Sequence, residues 1–171
     1  TSAQVFTELD PPGTDTIARI SVEWERAVDA WSAHGRVVKL RTPVVLSATG
    51  GALAKLTLPV RMGLGSPLGS GTQWMPWVHI DDLVRAYQQA LANDDMRGAY
   101  NVCAADQVTN AMFMRTLSEV IHRPYFLPAV PAFVLRLALG ELSSILLEGS
   151  RASDLRLRTT GFHYTHDTLR G

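Results

Sequence analysis

Apolar positions recur along this chain at two periods and divide it into alternating helical and extended segments. After a polar, irregular opening over Thr1–Gly13, the residues Ile17, Ile20, Trp24, Ala27, Val28 and Trp31 fall at helical spacing. Thr14 or Asp15 stands where a cap is needed, and Gly35 where the helix should stop after His34. A stripe holding two tryptophans predicts burial beneath a sheet. Arg36–Ser47 follows, with Val37, Val38, Leu40, Val44, Val45 and Leu46 in a nearly unbroken run. Such a run predicts a strand covered on both faces, as in a parallel sheet, with Pro43 marking its carboxyl end. Thr49-Gly50-Gly51 reads as a turn and Ala52–Met62 as a helix weakened by Pro59. Farther on, Leu83, Val84, Tyr87, Ala90 and Leu91 predict the buried face of another helix, and Gly98–Ala104 a second interior strand of the same sheet. Thr109 or Asn110 caps a helix with Met112, Phe113, Thr116, Leu117, Val120 and Ile121 along one side. Pro124–Pro131 is extended, and Phe133–Leu139 and Leu142–Leu147 are short helical pieces hinged at Gly140. In Gly149–Gly171, Thr160-Gly161-Phe162 predicts a turn into one last short strand.

The stretch between the two halves of this pattern is Gln73-Trp-Met-Pro-Trp-Val-His-Ile-Asp-Asp82. It begins as a short strand with two indoles. It ends in two acids, Asp81 and Asp82, either of which can cap the helix over Leu83–Ala92 and suits its positive end. Just before it, Gly63-Leu-Gly-Ser-Pro-Leu-Gly-Ser-Gly71 is too glycine-rich for a helix or strand. The loop is either the wall of a ligand site or a structural closure over an aromatic core, and the pattern leaves both open.

The element order indicates an α/β layer architecture, but an incomplete one. A doubly wound nucleotide-binding fold needs an opening strand, a glycine turn and a helix whose N-terminus meets phosphate. No Gly-x-Gly-x-x-Gly and no Gly-Lys-Ser/Thr phosphate loop occurs. At 171 residues the chain is long enough for one domain with a substantial core and barely enough for two. Sixteen basic and sixteen acidic side chains cancel, so net charge predicts neither a nucleic-acid nor a membrane partner. The single cysteine, Cys103, excludes an internal disulfide, fits a reducing compartment, and in its apolar surroundings reads as an inert thiol. No signal-peptide pattern opens the chain and the most apolar region, Ala129–Leu147, is interrupted by charge, so a cytoplasmic location is expected. His79 and Asp81 alternate to one side of the central strand, but two donors do not make a metal site, and none is assigned. His34, His122, His163 and His166 show no catalytic spacing.

Several pieces together resemble the C-terminal half of the extended short-chain dehydrogenase/reductase superfamily, in its atypical, nucleotide-sugar epimerase-like group. They are Val5-Phe-Thr-Glu8 with Pro11-Pro12-Gly13, Trp24-Glu25, Arg36-Val-Val-Lys-Leu-Arg-Thr-Pro-Val-Val-Leu46 and Gly50-Gly-Ala-Leu53. After these come Gly63-Leu-Gly65, Pro67-Leu-Gly-Ser-Gly71, Trp77-Val-His-Ile-Asp-Asp-Leu83, Gly98-Ala-Tyr-Asn101, Leu139-Gly-Glu141 and Gly161-Phe162. The resemblance implies a partial doubly wound, Rossmann-like parallel sheet over 1–106 with a substrate loop, and a small, mostly helical substrate region over 107–171. It implies NAD or NADP as cofactor of the complete protein and none for this chain alone, whose dinucleotide-binding half is missing. The expected partners are a small-molecule substrate and that N-terminal half, with homodimerisation open.

By the same resemblance Thr42, Pro43 and Val44 approach the nicotinamide ring, with Pro43 where the group commonly has Gly. From their place at the strand ends beside the glycine-rich loop, Gln73, Trp74 and Trp77 are expected on the far wall of the substrate site and Arg61 as its nearest basic residue, unless both tryptophans are simply core. Thr16 and Ile20 occupy the positions of the superfamily's general-acid Tyr and its Lys, and neither can do that chemistry. Met75 stands where many relatives carry a pyrophosphate-clamping Arg, which argues against a typical nucleotide sugar. Two functions follow: half of an NAD(P)-dependent epimerase or oxidoreductase, or a non-catalytic binding module on the same scaffold.

Overall fold

The computed structural model describes residues 4–170; residues 1–3 and 171, the ends of the opening and the tail, lie outside the described residues. In chain order the elements are β1 (Val5–Phe6), α1 (Thr16–Asp29), β2 (Val38–Arg41), β3 (Val44–Ser47), α2 (Gly51–Arg61), β4 (Trp74–Met75), β5 (Trp77–His79) and α3 (Ile80–Ala92). They continue as β6 (Gly98–Asn101), β7 (Val108–Thr109), α4 (Asn110–Val120), α5 (Ala132–Leu139), α6 (Ser144–Leu147), β8 (Arg151–Ala152) and α7 (Leu155–Arg158). Helical turns of the 3-10 type extend α1 over Ala30–Ala33 and join α5 to α6 over Gly140–Ser143. The hinge at Gly140 has φ +57°, a conformation that costs glycine little and other residues more.

Two prolines decide which strand pairs with which. The expected single strand over Arg36–Ser47 is broken at Thr42-Pro43: β2 pairs in parallel with β6, whereas β3 pairs in parallel with β5. Proline has no N–H to give a ladder, so the chain changes partner there instead of leaving the sheet. Pro76 does the same to the central stretch, where β4 runs antiparallel to β7 and β5 joins β3. β2 and β6 run parallel in one sheet, as expected, and the structure makes them neighbours; neither is interior to a larger sheet, each having one strand partner among the described residues. The last strand precedes the Thr160-Gly161-Phe162 turn: Arg151–Ala152 pairs with Val5–Phe6.

β5 lies between the two cores. Successive strand residues face opposite sides, so Trp77 packs with Leu46, Leu56, Val60, Val108 and Phe113, and Val78 with Leu83, Ala86, Ala90, Tyr100 and Phe162. The buried face of α3 is Leu83, Ala86 and Ala90, while Val84, Tyr87 and Leu91 are exposed. Small alanines let that helix sit close on the strands, which turns the expected larger residues outward. On α4 the buried apolar residues are Phe113 and Met114, beside buried Asn110 and Ser118, with Met112 and Val120 exposed.

The largest departure is α1. Asp15 caps it, its side chain accepting from the Ala18 N–H at 2.9 Å. Yet no residue of α1 is buried: Trp24 is 70% exposed and, just beyond it, Trp31 is 67% exposed. The stripe is amphipathic, but nothing among the described residues covers it, so the expected packing of Trp24 and Trp31 beneath the sheet is corrected.

Candidate functional site

In open α/β sheets ligands bind beyond the carboxyl ends of the strands. Here β2 ends in Arg41 and β6 in Asn101, and a polar network joins them. The Arg41 guanidinium donates to both oxygens of Glu25 on α1, at 2.6 and 3.0 Å, and to the Glu8 carbonyl at 3.2 Å. The Glu8 carboxylate accepts from the Asn101 N–H at 2.8 Å, and the Asn101 side chain donates to the Ser153 carbonyl at 3.0 Å. Lys39 adds bonds to Asp29 and Glu25, fastening α1 to β2. The Arg41 bonds hold the Glu25 carboxyl below its ordinary range against the opposing effect of burial. Burial also works against the charge of Lys39, but its bonds to Asp29 and Glu25 outweigh it and raise the ammonium. The network positions the first loop, α1 and the tail around one strand end. Alternation and spacing could not reveal it, because its members lie on five separate segments.

Around this strand end the residues singled out by sequence take different places. Thr42 is exposed and its hydroxyl donates to the Leu40 carbonyl at 3.2 Å; Pro43 and Val44 are half-buried beside it. The Val44 N–H donates to the Pro76 carbonyl at 3.3 Å, so this segment is tied directly to the central stretch. Thr16 and Ile20 lie on the outer face of α1, where with Arg19, Glu23 and Trp24 they line a shallow groove of about 400 Å³. Arg61 is exposed in the last turn of α2.

Gln73 and Trp77 are internal supports. Gln73 is 3% exposed, its amide donating to the carbonyls of Leu68 and Leu146 at 2.8 Å each while its oxygen accepts from Ser70. It therefore ties the glycine-rich loop to α6. Trp77 is 2% exposed and its Nε1 donates to the Asp106 carbonyl at 2.8 Å. Trp74 is half-buried under the Arg151 guanidinium, 4.8 Å from its ring centre. Gly149 lies so close to Trp74 that an added Cβ would strike its carbonyl. Met75 is buried in the core.

The capping of α3 also differs from expectation. The His79 Nδ1 accepts from the Asp81 N–H at 3.3 Å, in place of an acidic cap. Asp82 is fully buried and turns to the tail, accepting from the N–H groups of Thr165 and His166 at 2.9 and 2.8 Å and from Arg85 at 2.8 Å. Burial opposes its charge, yet these bonds hold its carboxyl below the ordinary value. This brings His166 beside His79 and Asp81, a third donor that a separation of more than eighty residues had hidden. A cleft of about 450 Å³ lined by Asp29, Ser32, Arg36 and Arg97 opens at the amino-terminal ends of β2 and β6, the wrong end for such a sheet. Its Arg36 is already used, donating to the Ala90 and Leu91 carbonyls at the end of α3.

Parallel strands, intervening helices and a polar cluster at the strand ends define part of a Rossmann-like nucleotide-binding fold. A family model described as the NAD dependent epimerase/dehydratase family matches residues 22–103, and a domain of unknown function (DUF1731) matches residues 130–171. The chain is 39% identical over 170 residues to the chloroplastic homologue of epimerase family protein SDR39U1 from Arabidopsis thaliana, covering 97% of this chain and 49% of that protein. It is 39% identical over 167 residues to the Mus musculus epimerase family protein SDR39U1, covering 96% of this chain and 57% of that protein. A crystal structure of human SDR39U1 (isoform 2) with NADPH superposes with a TM-score of 0.92 at 34% identity, over 98% of this chain and 57% of that one. The chain belongs to the epimerase-like group of the extended short-chain dehydrogenase/reductase superfamily. It spans about half the length of the curated relatives it matches.

Proposed function

We propose that this chain is the substrate-side half of an NAD(P)-dependent epimerase or oxidoreductase, acting when joined to an N-terminal dinucleotide-binding half. The observation that carries this is a face of α1 that nothing among the described residues covers, where Ile17, Ile20, Trp24 and Val28 are all exposed, beside a β2 strand with one partner among those residues. A further strand and helix from the other half would pair with β2 and cover that face. The boundary near residue 106 between the sheet and the small substrate region belongs to the same proposal.

The chain's own residues fit one end of a nicotinamide dinucleotide. Pro43 and Val44 offer an apolar edge at the end of β2, and the exposed Thr42 a hydroxyl, which suits the flat ring and its amide. The bound cofactor would supply hydride transfer at that edge. Nothing here matches a dinucleotide-phosphate fingerprint, so that contact falls to the other half. On the substrate side Trp74 and the exposed Arg61 are the candidates, Arg61 for an anionic group. The buried polar atoms of Gln73 and Trp77 act indirectly, by holding the loop and strand. Thr16 and Ile20 carry no proton chemistry, so any acid or base comes from the substrate, the other half or water. The choice between NAD and NADP leans on the NADPH in human SDR39U1.

Calorimetric titration with NADPH and NADH tests the proposal on this chain alone and on the protein joined to its N-terminal half. Binding only in the joined protein supports it, and micromolar binding by this chain alone overturns it. The substitutions at Thr16, Ile20 and Met75 favour a second function, a non-catalytic binding module. In that case the joined protein binds NADPH but oxidises none across a panel of carbonyl substrates. Among the described residues no helix is long and apolar enough to cross a membrane, and the buried free cysteine fits a reducing compartment such as the cytoplasm.

A further inference from the structure

We propose that His79, Asp81 and His166 form a site for a first-row transition-metal cation such as Zn²⁺, which pins the C-terminal tail to the start of α3. The His79 Nδ1 and His166 Nε2 lie 3.6 and 3.8 Å from the same Asp81 oxygen, Oδ2. One donor atom from each residue falls within 4.8 Å of the others. The two imidazole rings are 4.0 Å apart at their centres and tilted by 37°. Metal bonds of about 2.0–2.2 Å place tetrahedral donors about 3.3–3.6 Å from one another. Small rotations of three partly exposed side chains close the remaining distance.

The backbone beneath each donor is already held. His79 ends β5, in register with Leu46 of β3, and Asp81 stands in the first turn of α3. The N–H of His166 is bound by the buried Asp82 at 2.8 Å, the neighbouring Thr165 N–H at 2.9 Å, and Arg85 bonds both Asp82 and the Thr165 hydroxyl. Farther along, the Leu169 N–H donates to Asp106. Little ordering is left to be done on binding, which favours affinity. The His79 Nδ1 lone pair now accepts only a long bond from the Asp81 N–H, 3.3 Å, which an ion would replace.

Two imidazoles and one carboxylate suit Zn²⁺, Ni²⁺ or Cu²⁺ over Mg²⁺ or Ca²⁺, which take oxygen ligands. Three protein ligands leave a fourth position for water or an added ligand. The site is independent of the proposed cofactor chemistry.

The test titrates the 171-residue chain with Zn²⁺ by calorimetry and with Co²⁺ by visible absorption. One equivalent is expected to bind, with d–d bands of a four- or five-coordinate ion. His166→Gln keeps its backbone bond to Asp82, so the chain should keep its fold, as circular dichroism will check. This variant and Asp81→Asn should each weaken binding by at least about tenfold, whereas His34→Gln, at an exposed histidine far from the cluster in sequence, should leave it unchanged. Zn²⁺ should also slow hydrogen exchange at the Thr165 and His166 amides. Absence of saturable binding, or equal losses in His166→Gln and His34→Gln, overturns the proposal.

Discussion

The Cys103 thiol is 1% exposed and its Sγ lies 3.3 Å from the Ala152 carbonyl, to which it donates. Burial, then the nearby carboxylates of Asp154 and Glu8, push its pKa from 9.0 to about 12. A raised folded-state value means a contribution fully present below the unfolded pKa and lost as pH climbs toward the folded one, because the unfolded chain releases its proton first. Stability to urea should therefore fall above pH 9, this group adding up to about 1.4 kcal/mol per pH unit. Tyr164, pushed up mainly by its own burial, acts in the same direction. Cys103→Ala should flatten the decline, and an unchanged slope would assign it elsewhere. Trp77 makes the complementary case. It is packed on Leu46, Met75 and Phe113 and bonded to the Asp106 carbonyl, so Trp77→Ala should cost about 3–5 kcal/mol in a urea melt. A cost below 1 kcal/mol would return it to the ligand wall.

At the scale of elements, α1 is a capped amphipathic helix whose apolar stripe has no cover among the described residues. Truncating Trp24 in this chain removes mostly exposed surface, so Trp24→Ala should change stability by less than about 1 kcal/mol. In the joined protein the same change should cost about 3–5 kcal/mol, as for a core tryptophan. Equal small costs in both would mean that the N-terminal half does not sit on α1. The strands teach a related lesson. Pro43 was visible as an interruption and Pro76 was not read as one, and neither was visible as a switch: each releases the chain from one partner and hands it to another. The interruption is local chemistry, a missing N–H, whereas the new partner is chosen by what packs on either side.

For the whole molecule, four tryptophans report on assembly. Trp77 is buried and Trp74 half-buried, whereas Trp24 and Trp31 emit from water. Joining the N-terminal half should shift the emission to shorter wavelength, and the shift should disappear in Trp24→Phe/Trp31→Phe. A shift that survives both changes would place the contact elsewhere.

What the sequence determined by itself is what depends on near neighbours. The α/β class, a cap at Thr14 or Asp15 and another at Thr109 or Asn110, two parallel strands of one sheet around Val38–Arg41 and Gly98–Asn101, and the buried Cys103 all follow from period, cap chemistry and apolar runs. The family motifs were legible too, because their order along the chain survives without coordinates. Tertiary structure alone decided the rest. It turned Val84, Tyr87 and Leu91 outward by packing Ala86 and Ala90 inward, and spent Gln73 and Trp77 on internal bonds. It also joined Glu8, Glu25, Arg41 and Asn101, and set His166 beside His79. Periodicity tells which residues prefer to leave water, but not which surface receives them. The contacts between distant segments follow from how faces of similar apolarity and different shape pack together.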